Sequence, residues 1–285
     1  MPGSPLISVD QLIDLQASAT AGPTPAPAPA LLDIRWELGG PPGREAYEQG
    51  HIPGAVYVDL DTVLADAPGA GGRHPMPGVD VFTAGMRAAG VSNDRAVVVY
   101  DAATSMAAAR AWWLLRYFGH PRVQVLDGGL AAWVQDSRPL ETGSPATEPG
   151  DFVAHPGGMP LLDARAAAAL ASNGVLVDAR APERFAGDSE PIDPVAGHIP
   201  GARNRPSTAN VDGSGRFLEP DALRAGFADI GIGDGVEVGA YCGSGVVAAH
   251  ELLALEVAGY EAALYVGSWS DWITDPARPV ATGPR

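Results

Sequence analysis

The 285-residue chain contains no lysine; all eighteen of its basic residues are arginine. Schiff-base chemistry and the P-loop both need an ammonium at a fixed place, so neither is available, and a pyridoxal enzyme is disfavoured. Cysteine is nearly as scarce. The single Cys242 excludes an internal disulfide and any zinc site with several thiolate ligands, and one unpaired thiol suits a reducing, cytoplasmic setting. Positive charge is also short. Thirty-four acids against eighteen bases leave a formal charge of -16, the wrong sign for a nucleic-acid groove or an anionic membrane. No apolar run approaches the ~18 residues that span a bilayer. The opening MPGSPLISVDQL has no charged segment followed by an apolar one, so no secretion signal is expected. Apolar content is ample: hydrophobic residues make up 46% and charged residues 18%, enough for a buried core, and the length suggests about two domains.

The chain contains itself twice. LLDIRWE near Leu31 is answered by LVDARAPERF near Leu176, and GHIPGA occurs at Gly50 and again at Gly197. VVVYDAATSMAAARAWWLL from Val97 is answered by VGAYCGSGVVAAHELLAL from Val238, and VQVLDGGLAAW, ending at Trp133, by AALYVGSWSDW, ending at Trp272. Four matches in one order, about 140 residues apart, make each copy a whole domain. Short β-branched runs (LLDI, VVVY and VQVL, then VLVD, VGAY and ALYV) alternate with helical stretches such as Met106–Phe118 and Val246–Leu255. In the first of these helices Trp112, Leu115 and Phe118 share one face. Strand and helix in alternation predict two tandem α/β domains, each a parallel sheet covered by helices on both faces. The Pro- and Gly-rich stretch from Arg138 to Pro160 lacks periodicity, which places a linker over 141–160 between domains at 1–140 and 161–285. TAGPTPAPAPA from Thr20 reads as an extended insertion before the first strand.

Each half serves as a control for the other. GHIPGA, the strand-ending Asp33 and Asp178, and Arg35 and Arg180 two residues later are shared, and so belong to the scaffold. His198 reads as a structural histidine, whereas His51 is a candidate relay facing a cleft. The residue after the central strand differs: Asp101 in the first copy, Cys242 in the second. Ligands of open α/β sheets bind beyond the carboxyl ends of strands, and there Cys242 meets Gly243-Ser244-Gly245 and a helix beginning at Val246-Val247. Two glycines let consecutive amides point inward as an anion nest, which favours a thiolate. A lone cysteine is ordinarily a buried, inert apolar residue; the convergence of strand end, glycine loop and helix start makes Cys242 the nucleophile. Arg184, six residues after Asp178 where the first copy has Gly39, is a fork for an anionic donor or a surface charge paired with Glu183 or Asp188.

A phosphatase loop of this layout needs arginine at the sixth residue after the cysteine, and that residue is Ala248. A thioredoxin-type oxidoreductase needs a second cysteine. Sulfur transfer through a persulfide needs only one. In the duplicated GHIPGA, YDA at Tyr100, DGGLAAW at Asp127, GSWSDW at Gly267 and CGSGVVA at Cys242, the chain resembles the tandem-domain rhodanese sulfurtransferases over nearly its whole length. The resemblance implies an inactive first domain, consistent with Asp101, and catalysis by Cys242 within the loop Gly243, Ser244, Gly245, Val246 and Val247. It further implies 3-mercaptopyruvate rather than thiosulfate as the better donor, because a Cys-Gly-Ser-Gly loop stands where thiosulfate-preferring members resemble Cys-Arg-Lys-Gly. Arg184 would grip the donor carboxylate, and Ser244 would polarise the donor with His51 as relay. Acceptors would be cyanide, small thiols or thioredoxin; no cofactor and no metal are implied, and a monomer is expected. Two positions depart from the family pattern: Val247 replaces the usual threonine, and Asp193 stands where some mercaptopyruvate enzymes carry a second arginine. Arg203 or Arg205 is the expected substitute. The competing readings are a thiosulfate-preferring enzyme and a persulfide carrier or regulatory module without turnover.

Overall fold

The computed structural model describes residues 3–21, 27–144 and 147–284. They form two compact units that do not follow chain order throughout. Unit 1 takes the chain through Leu64, then Pro77–Gly158 and Gly213–Arg216; unit 2 takes Ala65–Met76, Met159–Asp212 and the chain from Phe217.

In unit 1 the order is β1 (Leu6–Ile7), α1 (Val9–Ala21), β2 (Ala30–Asp33), α2 (Gly43–Gln49), β3 (Ala55–Tyr57), α3 (Leu60–Val63), α4 (Val79–Ala88), β4 (Val97–Tyr100), α5 (Met106–Tyr117), β5 (Val123–Leu126) and α6 (Gly129–Gln135). Unit 2 repeats the plan with β6 (Leu161–Leu162), α7 (Ala164–Asn173), β7 (Val175–Asp178), α8 (Pro182–Ala186), β8 (Arg203–Asn204), a 3-10 turn (Ser207–Asn210), α9 (Pro220–Ala228), β9 (Val238–Tyr241), α10 (Val246–Val257), β10 (Ala263–Tyr265) and α11 (Ser268–Trp272). Each unit has a five-stranded sheet, β1-β5-β4-β2-β3 and β6-β10-β9-β7-β8, the same order twice. Every pairing is parallel.

The central strands β2, β4, β7 and β9 are buried at all four positions, as continuous apolar runs between helical layers must be. Helix α5 departs from its one-faced reading. Trp113 and Leu114 are as buried as Trp112 and Leu115, and buried Arg110 donates from Nε and Nη2 to the Leu64 carbonyl at 3.2 Å. The stretch expected as a linker also departs from expectation. Up to Gly158 it packs with unit 1: Phe152 is fully buried against Phe82, and the Gly150 amide donates to the Arg87 carbonyl at 2.8 Å. One aromatic side chain is enough to anchor an otherwise polar segment. Of the Pro-Ala patch, residues 22–26 lie outside the described residues.

The shared motifs brace the strand ends. Register sets Asp33 level with Tyr100 and Asp178 level with Tyr241. Asp33 holds Arg35, which donates to the Gly50 carbonyl at 2.8 Å; Asp178 holds Arg180, which donates to the Gly197 carbonyl at 2.7 Å. The next isoleucine amide in each loop donates to the strand-end phenol, Ile52 to Tyr100 at 3.2 Å and Ile199 to Tyr241 at 3.1 Å. Burial, with the nearby Asp178 carboxylate, pushes the Tyr241 pKa far up, so the phenol stays neutral and accepts that bond.

Beneath α10 lies a buried polar cluster. Glu251 accepts from Asn210 Nδ2 at 2.6 Å and lies 3.4 Å from Arg205. Burial pushes the Glu251 pKa up to about 7, against the opposing pull of Arg205 and Asn210. The folded state therefore binds a proton that the unfolded state has released, and stability falls as pH rises from about 4.5 through 7. The loss is on the order of 3 kcal/mol. Urea unfolding at pH 5 and pH 8 should show this decline in the wild type and a flatter profile in Glu251→Gln.

Candidate active site

Strand β9 ends at Tyr241, and Cys242 follows it, buried. The loop back is fixed from α11: the Trp269 amide donates to the Cys242 carbonyl at 3.0 Å and the Ser270 amide to the Gly243 carbonyl at 2.9 Å. The Cys242 amide donates to Ser268 Oγ at 3.1 Å. With its backbone pinned on both sides, the thiol faces the start of α10, where the Gly245 amide donates to Sγ at 3.1 Å. Gly245 caps the helix with φ +77°, and a Cβ there would overlap the Val266 carbonyl oxygen. Val246 is buried as the first helical residue and Val247 is half-buried behind it.

The corresponding loop of unit 1 shows what such a loop binds. Asp101 follows β4 and is buried, and its carboxylate accepts from the amides of Ala103, Ser105, Ala107 and Ala108 at 3.0–3.2 Å. Burial pushes its pKa up, and the four amides oppose that rise. A carboxyl group on a cradle of amides thus occupies the first copy's strand end.

Ser244, buried beside the thiol in sequence, meets a histidine: His74 Nδ1 lies 2.7 Å from Ser244 Oγ. His74 belongs to Ala65–Met76, the segment that packs with unit 2 although it lies in the first half of the chain. The relay expected at His51 has a different setting. His51 lies in unit 1, stacked 4.0 Å from the Tyr47 ring with Nδ1 on the Tyr47 carbonyl, just as His198 stacks 3.6 Å from Phe185 with Nδ1 on its carbonyl. Both histidines of GHIPGA thus share one setting, an aromatic stack and a backbone carbonyl.

Arg184, on α8, is held by two carboxylates. Its Nε lies 3.0 Å from both Glu190 oxygens, and its Nη2 donates to Glu190 at 2.7 Å and to Asp193 at 3.0 Å. Burial alone would raise the Glu190 pKa; Arg184 and the amides of Asp193 and Ile192 outweigh it and hold the carboxyl below its ordinary range. The other oxygen of Asp193 accepts from Arg73. Arg203 and Arg205 do not fill the place expected of them. Arg203 donates to the Ile230 carbonyl, while Arg205 is committed to Asn210, Glu251 and the Phe227 ring.

Arg73 and His74 are absent from the sequence-based site. A signal for His74 exists: Gly72-Arg73-His74 corresponds to Gly215-Arg216-Phe217, so the histidine is another residue in which the copies differ.

A duplicated parallel α/β fold, with a thiol at one strand end and an amide-bound carboxyl at the other, defines a two-unit protein with a single cysteine site. The chain belongs to the rhodanese-like domain family, whose model matches residues 11–136 and 162–275. It is 46% identical over 277 residues to SseB of Mycobacterium tuberculosis, which carries a provisional thiosulfate sulfurtransferase name, covering 94% of this chain and 96% of that one. It is also 46% identical over 278 residues to a Pseudomonas aeruginosa protein with a provisional 3-mercaptopyruvate sulfurtransferase name, covering 94% and 98%. The crystal structure of SseA from Escherichia coli, a 3-mercaptopyruvate sulfurtransferase by its description, superposes with a TM-score of 0.81 at 32% identity, covering 94% of this chain and 100% of that one.

Proposed function

We propose that the protein is a sulfurtransferase that carries sulfane sulfur from 3-mercaptopyruvate to a thiophilic acceptor as a Cys242 persulfide. The observation that carries this reading is the Cys242 thiol under the Gly245 amide, followed in the same loop by the Ser244–His74 pair. The thiolate attacks the donor sulfur, the carbon–sulfur bond breaks, and its electrons pass to carbon as the enolate of pyruvate. That carbon then takes up a proton, the one originally on the donor sulfur, and Ser244 with His74 offers a short path for it. Cyanide next attacks the outer persulfide sulfur, leaving as thiocyanate and returning the thiolate. Asp101 cannot become a persulfide, so the first copy's strand end offers no second sulfur-carrying site.

The proton path favours mercaptopyruvate. Thiosulfate would release sulfite, an anion that needs no proton to leave, so the Ser244–His74 pair would have no task with that donor. Small thiols and thioredoxin are the acceptors proposed besides cyanide, and the lone unpaired thiol supports a cytoplasmic location. The test is thiocyanate release with the two donors in competition, read beside intact-protein mass after donor alone. We expect turnover favouring mercaptopyruvate and a mass gain of one sulfur atom. Preference for thiosulfate would retain the persulfide and refute the proton-path argument; a stable sulfur adduct without turnover would make the protein a carrier.

A further inference from the structure

Helix α11 opens on a residue in a conformation uncommon for its type. Ser268 has φ +55° and is fully buried. In that region Cβ crowds the backbone carbonyl, so a side chain is held there only where its surroundings outweigh the strain. The first copy shows the unstrained solution. Gly129 stands at the matching place with the same φ of +55°. The backbone bonds around it are also the same. The Leu130 amide donates to the Asp101 carbonyl at 2.9 Å and the Ala131 amide to the Ala102 carbonyl at 2.8 Å, as Trp269 does to Cys242 and Ser270 to Gly243. Glycine builds this corner without strain, so the serine has to be explained by its hydroxyl.

That hydroxyl joins two backbone groups. Ser268 Oγ donates to the Tyr265 carbonyl at 2.9 Å, where β10 ends, and accepts from the Cys242 amide at 3.1 Å, just past the end of β9. With its own proton committed to Tyr265, the oxygen turns a lone pair to Cys242. The two copies need different help at this point. Asp101 reaches four amides of its loop with its own side chain, which holds that loop without residue 129. The Cys242 thiol, a weak acceptor, takes the Gly245 amide, and its backbone has to be held from another element. Ser105 also has positive φ, but there the conformation serves the residue's own amide, which donates to Asp101 at 3.0 Å. At Ser268 it serves the side chain.

We infer that Ser268 is the positioning residue of the nucleophile: it keeps a strained left-handed conformation so that its hydroxyl holds the Cys242 amide, and the fixed amide aims Sγ at the start of α10. The inference rests on the sulfurtransferase reading and deepens it. Cysteine with serine in one copy, and aspartate with glycine in the other, are then two ways of fixing the same loop.

The test separates strain from hydroxyl. Ser268→Gly removes both; Ser268→Ala removes the hydroxyl alone. Persulfide formation from 3-mercaptopyruvate is followed in single turnovers by intact-protein mass, and Tm is measured on the same preparations. Both variants should form the persulfide roughly ten- to a hundredfold more slowly at saturating donor. The half-saturating donor concentration should stay within about twofold, because a hydroxyl engaged with two backbone groups has no part in holding the donor. Glycine should nevertheless unfold roughly 2–5 °C above alanine. A merely structural role would make the rate follow Tm, with glycine the faster variant. If Ser268→Ala does not fold, Ser268→Gly, which copies the first unit's corner, decides by itself. A wild type that takes up sulfur while a folded Ser268→Gly matches its rate overturns this inference alone, and so does a half-saturating concentration that rises as far as the rate falls. A wild type that takes up no sulfur from either donor overturns the sulfurtransferase reading and this inference with it.

Discussion

Cys242→Ser leaves a folded protein whose thiocyanate release drops by about 10³-fold or more. The substitution is nearly isosteric, and the bonds that fix this residue's backbone run through its own amide and carbonyl to Ser268 and Trp269, so the loop survives. What is lost is the thiolate: a serine hydroxyl is neither ionised near neutrality nor able to store sulfur as a persulfide. No other cysteine exists in the chain to take over. Rate, far-ultraviolet circular dichroism and the donor-dependent mass gain should be read on one preparation. Residual turnover within tenfold of the wild type, on a folded variant, would remove Cys242 from the mechanism.

Gly245→Ala should be nearly as damaging for a different reason. At φ +77° an alanine costs about 1–2 kcal/mol. In the matching loop of unit 1 Ser105 caps α5 at φ +62°, so the sign of φ alone is tolerable. The added barrier is the Val266 carbonyl, part of the chain leaving β10, which a methyl group would overlap and which can yield only by moving the backbone. Relief pulls the Gly245 amide off Sγ. Together the terms suggest about 2–4 kcal/mol, or roughly 5–10 °C in Tm, and a displaced nucleophile costs on the order of 10²-fold in rate. Scanning calorimetry and single-turnover persulfide formation would check the two halves of this expectation. An alanine variant with wild-type Tm would mean that the loop adjusts more freely than its contacts allow.

Much of this was legible before any coordinates. The β-branched runs VVVY, VQVL, VLVD and VGAY coincide with β4, β5, β7 and β9 because short, mostly apolar runs between turns suit strands buried in a parallel sheet and have no competing helical period. The edge strands β1, β6 and β8, two residues each, carry no pattern of their own and exist through pairing with a longer neighbour. The cysteine loop was legible because strand end, glycines and helix start are contiguous. Arg73 and His74 were not, since comparing the halves treats each as self-contained, whereas Ala65–Met76 packs with unit 2 and Gly213–Arg216 with unit 1. Chain order misled where packing crossed it. His51 and His198, in the motif that the two copies share, also share a stacked setting, on Tyr47 and on Phe185.

Asp101 has a further consequence for how two such similar loops can share one chain. A ligand built into the backbone acts at an effective concentration that no dissolved anion reaches. With its carboxylate on the amides of Ala103, Ser105, Ala107 and Ala108, the first copy is saturated from the moment it folds. Sulfate, phosphate or a passing keto acid finds no vacancy there and is not titrated away from the other copy. The copy that carries Asp101 is no decoy for the substrate of the copy that carries Cys242.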